Sequence, residues 1–287
     1  MDALRVLLAP NPSPMTLDGT RTFLVGRSRP VVIDPGPADE RHLSRIHDAL
    51  AGSTPVAILL THAHPDHAAA AAPLAATTGA PVWMTHGAVA SGFPPVFADR
   101  WIFDGDIMAT DAGPVRAVAT PGHTPEHLAF LWTGANAPAG GALFVGDLMM
   151  GEGDTTLVSP PEGDLGAYLR SLRRVRELKP GVIYPTHGPP LYEAAEATAR
   201  FLRHREERIA GVLQALRTAG AAEPDALVDA VYGGALHPQL RAAAAGSIAA
   251  MLRYLEEEGA VHRRVGKRYE ALDHVATNSV QPTRTEE

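Results

Sequence analysis

Cysteine is absent from all 287 residues. That excludes disulfide bridges and thiolate metal sites, so any bound metal must be held by nitrogen and oxygen. Long apolar runs are missing as well: "VAILL" and "AAAAAPLAA" fall well short of the roughly 18 residues that a membrane helix needs. There is no excess of positive charge, the formal net charge being −7, and the overall balance therefore does not suggest nucleic acid. Bound dications would offset part of the negative charge, so an anionic substrate is not excluded. The opening "MDALRVLLAP" shows no cleavage pattern of an export signal. The expectation is a cytoplasmic protein with no membrane partner. No internal repeat is visible.

What the chain does have is histidine. It carries 13, and three fall with an aspartate inside "THAHPDH", residues 61–67. At 45% hydrophobic residues the chain can bury a large core, and its length suits two domains. Apolar runs rich in β-branched residues predict strands at 22–26, 30–36, 56–61, 81–85, 114–120, 127–132, 141–147 and 181–188. Helical spacing predicts helices between them: 41–50 with Leu43, Ile46, His47 and Leu50 on one face, 65–79 ending at Gly79, and 164–178 with a stripe at Leu165, Leu169, Leu172 and Val175. Strands outnumber these helices and alternate with them, which predicts sheets covered by helices in layers. After about residue 193 the pattern changes to helices at 193–219, 224–232 and 239–258, then a hairpin over 260–272. Three helices and a hairpin are the plan of a winged-helix unit. The division expected is 1–195, 196–272 and a disordered tail, 273–287.

His62 and His64 lie two apart in the extended segment after a predicted strand, where alternate side chains share a face and can reach one ion. Asp66 and His67 fall in the first turn of the next helix. Their side chains leave in another direction and can serve a second ion, with Asp66 favoured at a helix amino end. Three further residues of ligand type occupy the carboxyl ends of predicted strands, where α/β folds gather functional groups. They are His123 in "ATPGHTPEH", Asp147 in "FVGDL" and His187 in "YPTHGPP".

This order (HxHxDH, a histidine in TPGHT, then GD, then a histidine in HGP) is similar to that of the metallo-β-lactamase superfamily. "NPSPMTLDGTRTFLVG", "GDLMMGEG", "YLRSLRRV", "HREER" and "LVDAVYGG" resemble its branch typified by beta-lactamase-like protein 2, across nearly the whole chain. The resemblance implies an αββα sandwich with a small carboxyl-terminal winged-helix domain. It also implies two Zn2+ ions, with Mn2+ or Fe as alternatives. His62, His64 and His123 would bind the first, Asp66, His67 and His187 the second, and Asp147 would bridge. The chemistry implied is hydrolysis by a metal-bridging hydroxide, with Asp66 and Asp147 orienting it and moving its proton. The chain departs from the branch in having Ala68–Ala72 where small glycines follow the DH, Arg21 for an asparagine and Phe23 for a tyrosine. Substrate contacts made by the loop around Arg21 depend on those changes.

Four more residues enter as candidates. Asp34 in "VIDPG" either orients a ligand histidine or forms a turn. His127 either meets a transition-state oxygen or is buried structurally. Glu152 touches the metal groups or is a solvated acid, and Tyr168 reaches substrate or packs. His42, His47, His86 and His204 read as structural or surface residues. The basic strings "RFLRHREER" and "HRRVGKR" contact phosphates, or are a solvated helix face and a wing. Three functions are weighed: hydrolysis of a small acyl ester, thioester or lactone; cleavage of single-stranded RNA; and a ligand sensor that binds DNA through the winged helix. β-Lactam hydrolysis is set aside for want of an export signal, and a homodimer is compatible with each.

Overall fold

Side chains alternate faces along a strand, and the buried strands of this chain are apolar on both faces, so each must be covered twice. The computed structural model describes residues 2–86 and 96–272; the tail expected to be disordered, 273–287, lies outside the described residues. Strands β1 (Leu4–Leu8), β2 (Arg21–Val25), β3 (Val31–Ile33), β4 (Ala57–Leu59), β5 (Val82–Met84) and β6 (Arg100–Trp101) form one sheet in chain order. The second sheet takes β7 (Ile107–Thr110), β8 (Gly113–Ala119), β9 (Leu128–Trp132), β10 (Ala142–Phe144) and β11 (Val182–Tyr184) in the order 11-10-9-8-7. Both sheets are mixed: β1–β3 pair antiparallel and β3–β6 parallel, while β7–β10 are antiparallel and β10–β11 parallel.

Phe23, Val25, Val31, Ile33, Ala57 and Leu59 share one buried cluster with Val115, Phe130, Trp132 and Phe144 of the second sheet. This is the interior of the sandwich. The intervening residues Leu24, Val32, Ile58 and Leu60 face the other way. They pack with Ile46 and Leu50 of α1 (Glu40–Leu50) and with Ala71 and Leu74 of a helix further on. Asp39 caps α1 by accepting from His42 N at 2.9 Å. The buried face of α1 is His42, Ile46 and Leu50, which replaces His47 with His42 in the expected stripe. The helix expected over 65–79 is two, α2 (Pro65–Ala68) and α3 (Ala71–Thr78), because Ala70 N turns to Gly36 O instead of continuing the ladder. On the far side, α4 (Leu165–Leu178) buries its predicted stripe and is capped by Asp164. Ser171 and Arg174 of α4 donate to Pro121 O and Ala119 O at the end of β8. Helix, sheet, sheet and helix thus make the αββα sandwich.

Helix α5 (Ala194–Ala219) follows, and the chain divides into two compact units between Glu206 and Glu207, inside it. The division expected from sequence lies at the start of the same helix. The second unit has a short turn at Pro224–Leu227, then α6 (Val228–Tyr232), α7 (Arg241–Glu257) and the hairpin of β12 (Val261–Arg263) and β13 (Tyr269–Ala271). Leu227, Val228, Ile248, Met251, Leu255, Val261 and Tyr269 are buried. Helices plus a two-stranded wing match the expected winged-helix plan. Among the described residues no helix is long and apolar enough to cross a membrane.

Candidate metal centre

The loops that leave β4, β8, β10 and β11 bring seven side chains together, from positions 62 to 187. Two glycines make the approach possible. Gly122 lies against α4, and a Cβ there would sit 2.3 Å from Tyr168 Cα; its φ of +141° also suits glycine. It lets the loop carrying His123 lie flat on the helix. Gly146, at φ +52°, would drive a Cβ to within 2.6 Å of His127 Nε2. Without that Cβ, Asp147 N–H reaches His127 Nε2 at 3.2 Å, which aims the Asp147 side chain.

Two groups result. In the first, His62 Nε2 is 2.9 Å and His123 Nε2 3.1 Å from His64 Nδ1, and Asp147 Oδ2 is 3.5 Å from His123 Nε2. In the second, Asp66 Oδ2 is 3.2 Å from His187 Nε2 and 3.7 Å from His67 Nε2. Asp147 Oδ1 lies 3.2 Å from His67 Nε2 and 3.3 Å from His187 Nε2. One carboxylate therefore presents a different oxygen to each group.

The outer nitrogens show what the inner ones are for. Thr61 Oγ1 donates to Asp34 Oδ2 at 2.8 Å, so it accepts from His62 Nδ1 at 3.0 Å. His123 Nδ1 meets Leu157 O, His187 Nδ1 meets Gly19 O, His67 Nδ1 meets Asp34 Oδ2 and His64 Nε2 meets Glu162 Oε2, at 2.7 to 3.1 Å. Each outer nitrogen thus carries its proton outward, the arrangement that fixes a ligand histidine. In the first group three imidazole lone pairs and a carboxylate oxygen then face one another without a proton between them. That arrangement is repulsive unless a cation sits among them. Their spacing is also that of a coordination shell: metal–nitrogen bonds of about 2.0–2.1 Å put tetrahedral ligands roughly 3.3 Å apart. Among the described residues, the buried His67 Nε2 and Asp147 Oδ1 make no well-directed hydrogen bond. The residues present fit a pair of metal ions.

Charge differs between the groups. Burial and the neighbouring imidazoles hold His62 well below the usual histidine range. Burial also lowers His123, against the pull of Asp147. Burial opposes a charge on His67, yet Asp147, Asp66 and Asp34 together raise it well above that range. His187 is raised in the same way by Asp147 and Asp66. Burial likewise opposes the charge of Asp147, but His187 and His67 hold its carboxyl well below the carboxylate range.

The remaining candidates separate cleanly. Asp34 is wholly buried, and its carboxylate accepts from Thr61 N, Thr61 Oγ1, His67 Nδ1 and Thr186 Oγ1. His127 has both ring nitrogens in use, Nδ1 on Thr120 Oγ1 and Nε2 on Asp147 N. Burial lowers its pKa to about 3, keeping it a neutral acceptor. Tyr168 is buried, with its hydroxyl donating to Leu148 O, and so packs instead of facing the site. Glu152 is exposed and stands in neither ligand group, while the adjacent Gly151 N–H holds His187 O at 2.7 Å. Arg21 is turned onto Asp18 in a two-bond pair, and Phe23 lies in the core against Phe144. His42 is buried against Thr22, His47 contacts Thr77, and His86 contacts the Trp101 ring. Sequence reasoning missed Glu162 and the threonines at 61 and 186. Glu162 stands alone in a Pro/Gly-rich loop and offers no spacing signal.

Comparison with known proteins agrees with this geometry. Residues 15–187 match the metallo-beta-lactamase superfamily, and residues 224–268 match the beta-lactamase associated winged helix domain. The lactamase-like protein adaB of Aspergillus niger is 31% identical over 79% of this chain and 72% of its own length. The beta-lactamase-like protein 2 homolog of Caenorhabditis elegans is 28% identical over 91% of this chain and 86% of its own. The atrochrysone carboxyl ACP thioesterase of Passalora fulva is 29% identical over 97% and 84%. Among solved structures, a beta-lactamase domain protein from Burkholderia ambifaria superposes with a TM-score of 0.80 at 24% identity, covering 94% of this chain and 91% of that one. TTHA1623 in a di-iron-bound form gives 0.50 at 29% identity, covering 67% and 96%.

Proposed function

The chain belongs to the metallo-β-lactamase superfamily and is one of its hydrolases, and from that premise we propose that it cleaves an ester-type bond in a small acyl substrate at a two-metal centre, a thioester being the first candidate. In this reading His62, His64 and His123 hold one ion and Asp66, His67 and His187 the other. Asp147 joins them through its two oxygens. The observation that carries the reading is the set of inward lone pairs in the first group, with the outer nitrogen of every ligand histidine in both groups already committed. Zinc suits an all-nitrogen-and-oxygen donor set; manganese and iron fit the same donors, and the related TTHA1623 is a di-iron protein in its solved form. Once bound, such a pair supplies a hydroxide near neutral pH, by lowering the pKa of water from about 15.7 toward 7, and polarises the oxygen under attack.

The chain's own groups do the rest. Asp66 is the more open of the two carboxylates, its side chain 30% exposed against 12% for Asp147. It can take up a proton from the nucleophile while Asp147 keeps both groups in register. The thioester preference draws on the Passalora fulva relative, a thioesterase by name. Several arginines of the two basic strings weighed for phosphate contact are engaged within the chain. Arg203 pairs with Glu196 and Arg264 with Glu270, while Arg208 and Arg268 donate to Val231 O and Ala221 O.

The test is zinc-loaded protein assayed in parallel on a panel of acyl thioesters and on labelled single-stranded RNA, each across a salt series. Thioester turnover with little salt response is expected. RNA cleavage that weakens steeply with salt, with no acyl turnover, would replace the reading, since phosphate contacts release counterions.

A further inference from the structure

His64 differs from the other four imidazoles. It alone turns Nδ1 into the cluster, leaving Nε2 outermost. Its side chain is also 26% exposed, whereas those of His67, His123 and His187 are at most 7%. At such an edge water competes for the outer N–H, so a fixed acceptor is needed to hold the ring's orientation. The acceptor that meets it is Glu162 Oε2, at 2.9 Å.

The loop that carries Glu162 is tightly built. Gly163 N–H closes on Ser159 O at 2.7 Å, and a Cβ on Gly163 would lie 2.2 Å from Ser159 N. Asp164 N–H donates to Gly122 O at 2.9 Å, next to His123, and the Asp164 carboxylate caps α4. The same loop supplies Leu157 O to His123 Nδ1. One segment, residues 157–164, therefore holds the outer nitrogens of two of the three histidines in the first group. Asp34 and Gly19 serve the second group.

We propose that Glu162 is a positioning residue of the metal centre: its carboxylate fixes His64 with Nδ1 inward and thereby sets the affinity of the first group for its ion. This rests on the two-metal reading above. A carboxylate behind a ligand imidazole fixes its tautomer and orientation and raises its basicity, and losing such a partner costs on the order of 10–100-fold in metal affinity. The loss falls on the ion of the first group, because Glu162 meets His64 there, whereas His67 and His187 of the second group are oriented by Asp34 and Gly19 O.

The experiment is competition for Zn2+ between a chelator and the full-length protein, with bound zinc counted by native mass spectrometry. Wild type, Glu162→Ala and Glu162→Gln are compared, and the thermal melt of each metal-free protein is recorded. Wild type takes up two ions. Glu162→Ala holds one as before and the other about 10–100-fold more weakly, with an unchanged metal-free melt. Glu162→Gln, which keeps an oxygen acceptor at the same reach, recovers most of that loss. If Glu162→Ala binds both ions like wild type, the role of Glu162 is wrong and the two-metal centre stands. Equal weakening of both ions with a lowered melt makes Glu162 structural and also overturns the proposal. Wild-type protein that takes up no zinc brings down the two-metal reading itself.

Discussion

In the two halves of the candidate metal centre the histidine pKa values are shifted in opposite directions. In the half built on His62, His64 and His123, the outer N–H groups point to a threonine hydroxyl, a glutamate and a main-chain carbonyl. Burial, with the mutual repulsion of like rings, keeps His62 and His123 neutral. In the half built on Asp66, His67 and His187, Asp147 and Asp66 raise the pKa of both histidines against the cost of burial, with Asp34 adding to the effect at His67. Opposite charges offset part of the cost of burial in the second half, whereas converging lone pairs offset none of it. The first half is therefore preorganised for a cation. In the second, the raised pKa values of His67 and His187 set proton release against metal binding, so uptake of its ion is the more pH-dependent of the two. Asp147, with one oxygen in each half, ties the two together.

Removing that tie has the largest expected effect. Asp147→Ala deprives both halves of a ligand and leaves His67 and His187 short of their main counter-charge. Affinity for both ions falls by more than the roughly 100-fold that an outer partner carries, and hydrolysis falls with it. Calorimetric titration with zinc checks this. A variant that still binds one ion at wild-type strength would show that the halves are independent. Asp34→Ala comes next and is unequal by design. Asp34 binds His67 directly and reaches His62 only through Thr61, so the second ion is weakened about 10–100-fold and the first less. Four donors also lose their acceptor inside the core, at a stability cost of about 3–5 kcal/mol, readable by denaturant unfolding of the metal-free protein. Equal weakening of the two ions would contradict the asymmetry.

The contrast between the halves was only partly legible in the sequence. His62, His64, Asp66 and His67 stand out because strand and helix periodicities assign their directions from spacing alone. His123, Asp147 and His187 follow from their places at strand ends. Asp34 is recognisable because an Asp before Pro–Gly at a strand end is restricted to few roles; here its φ of +48° makes the turn while its carboxylate orients His67. Glu162 and the carbonyls of Leu157 and Gly19 left no trace, since main-chain acceptors have no sequence identity and a lone loop acid has no period. The alanine run after His67 reads as one helix because alanine suits a helix and a break alike, and only the tertiary bond from Ala70 N to Gly36 O decides. Strands β1, β6 and β7 were missed because they include the sheet edges, where half-exposed residues blur the alternation.

The smallest expected effect isolates a single link of the network. Thr61→Val keeps the side-chain shape and deletes the hydroxyl that relays between His62 Nδ1 and Asp34 Oδ2. Asp34 retains three of its donors, Thr61 N, His67 Nδ1 and Thr186 Oγ1, so the second half keeps its orientation. His62 loses the acceptor of its Nδ1–H and, being buried, cannot exchange it for water. The net loss is about 1 kcal/mol, the scale of one hydrogen bond, or roughly fivefold in affinity for the first ion at an unchanged second. Competition against a chelator resolves a difference of that size. A Thr61→Val protein that loses the second ion instead would mean that the hydroxyl acts chiefly by holding Asp34 on His67, and the path from Asp34 to the first half would have to be redrawn.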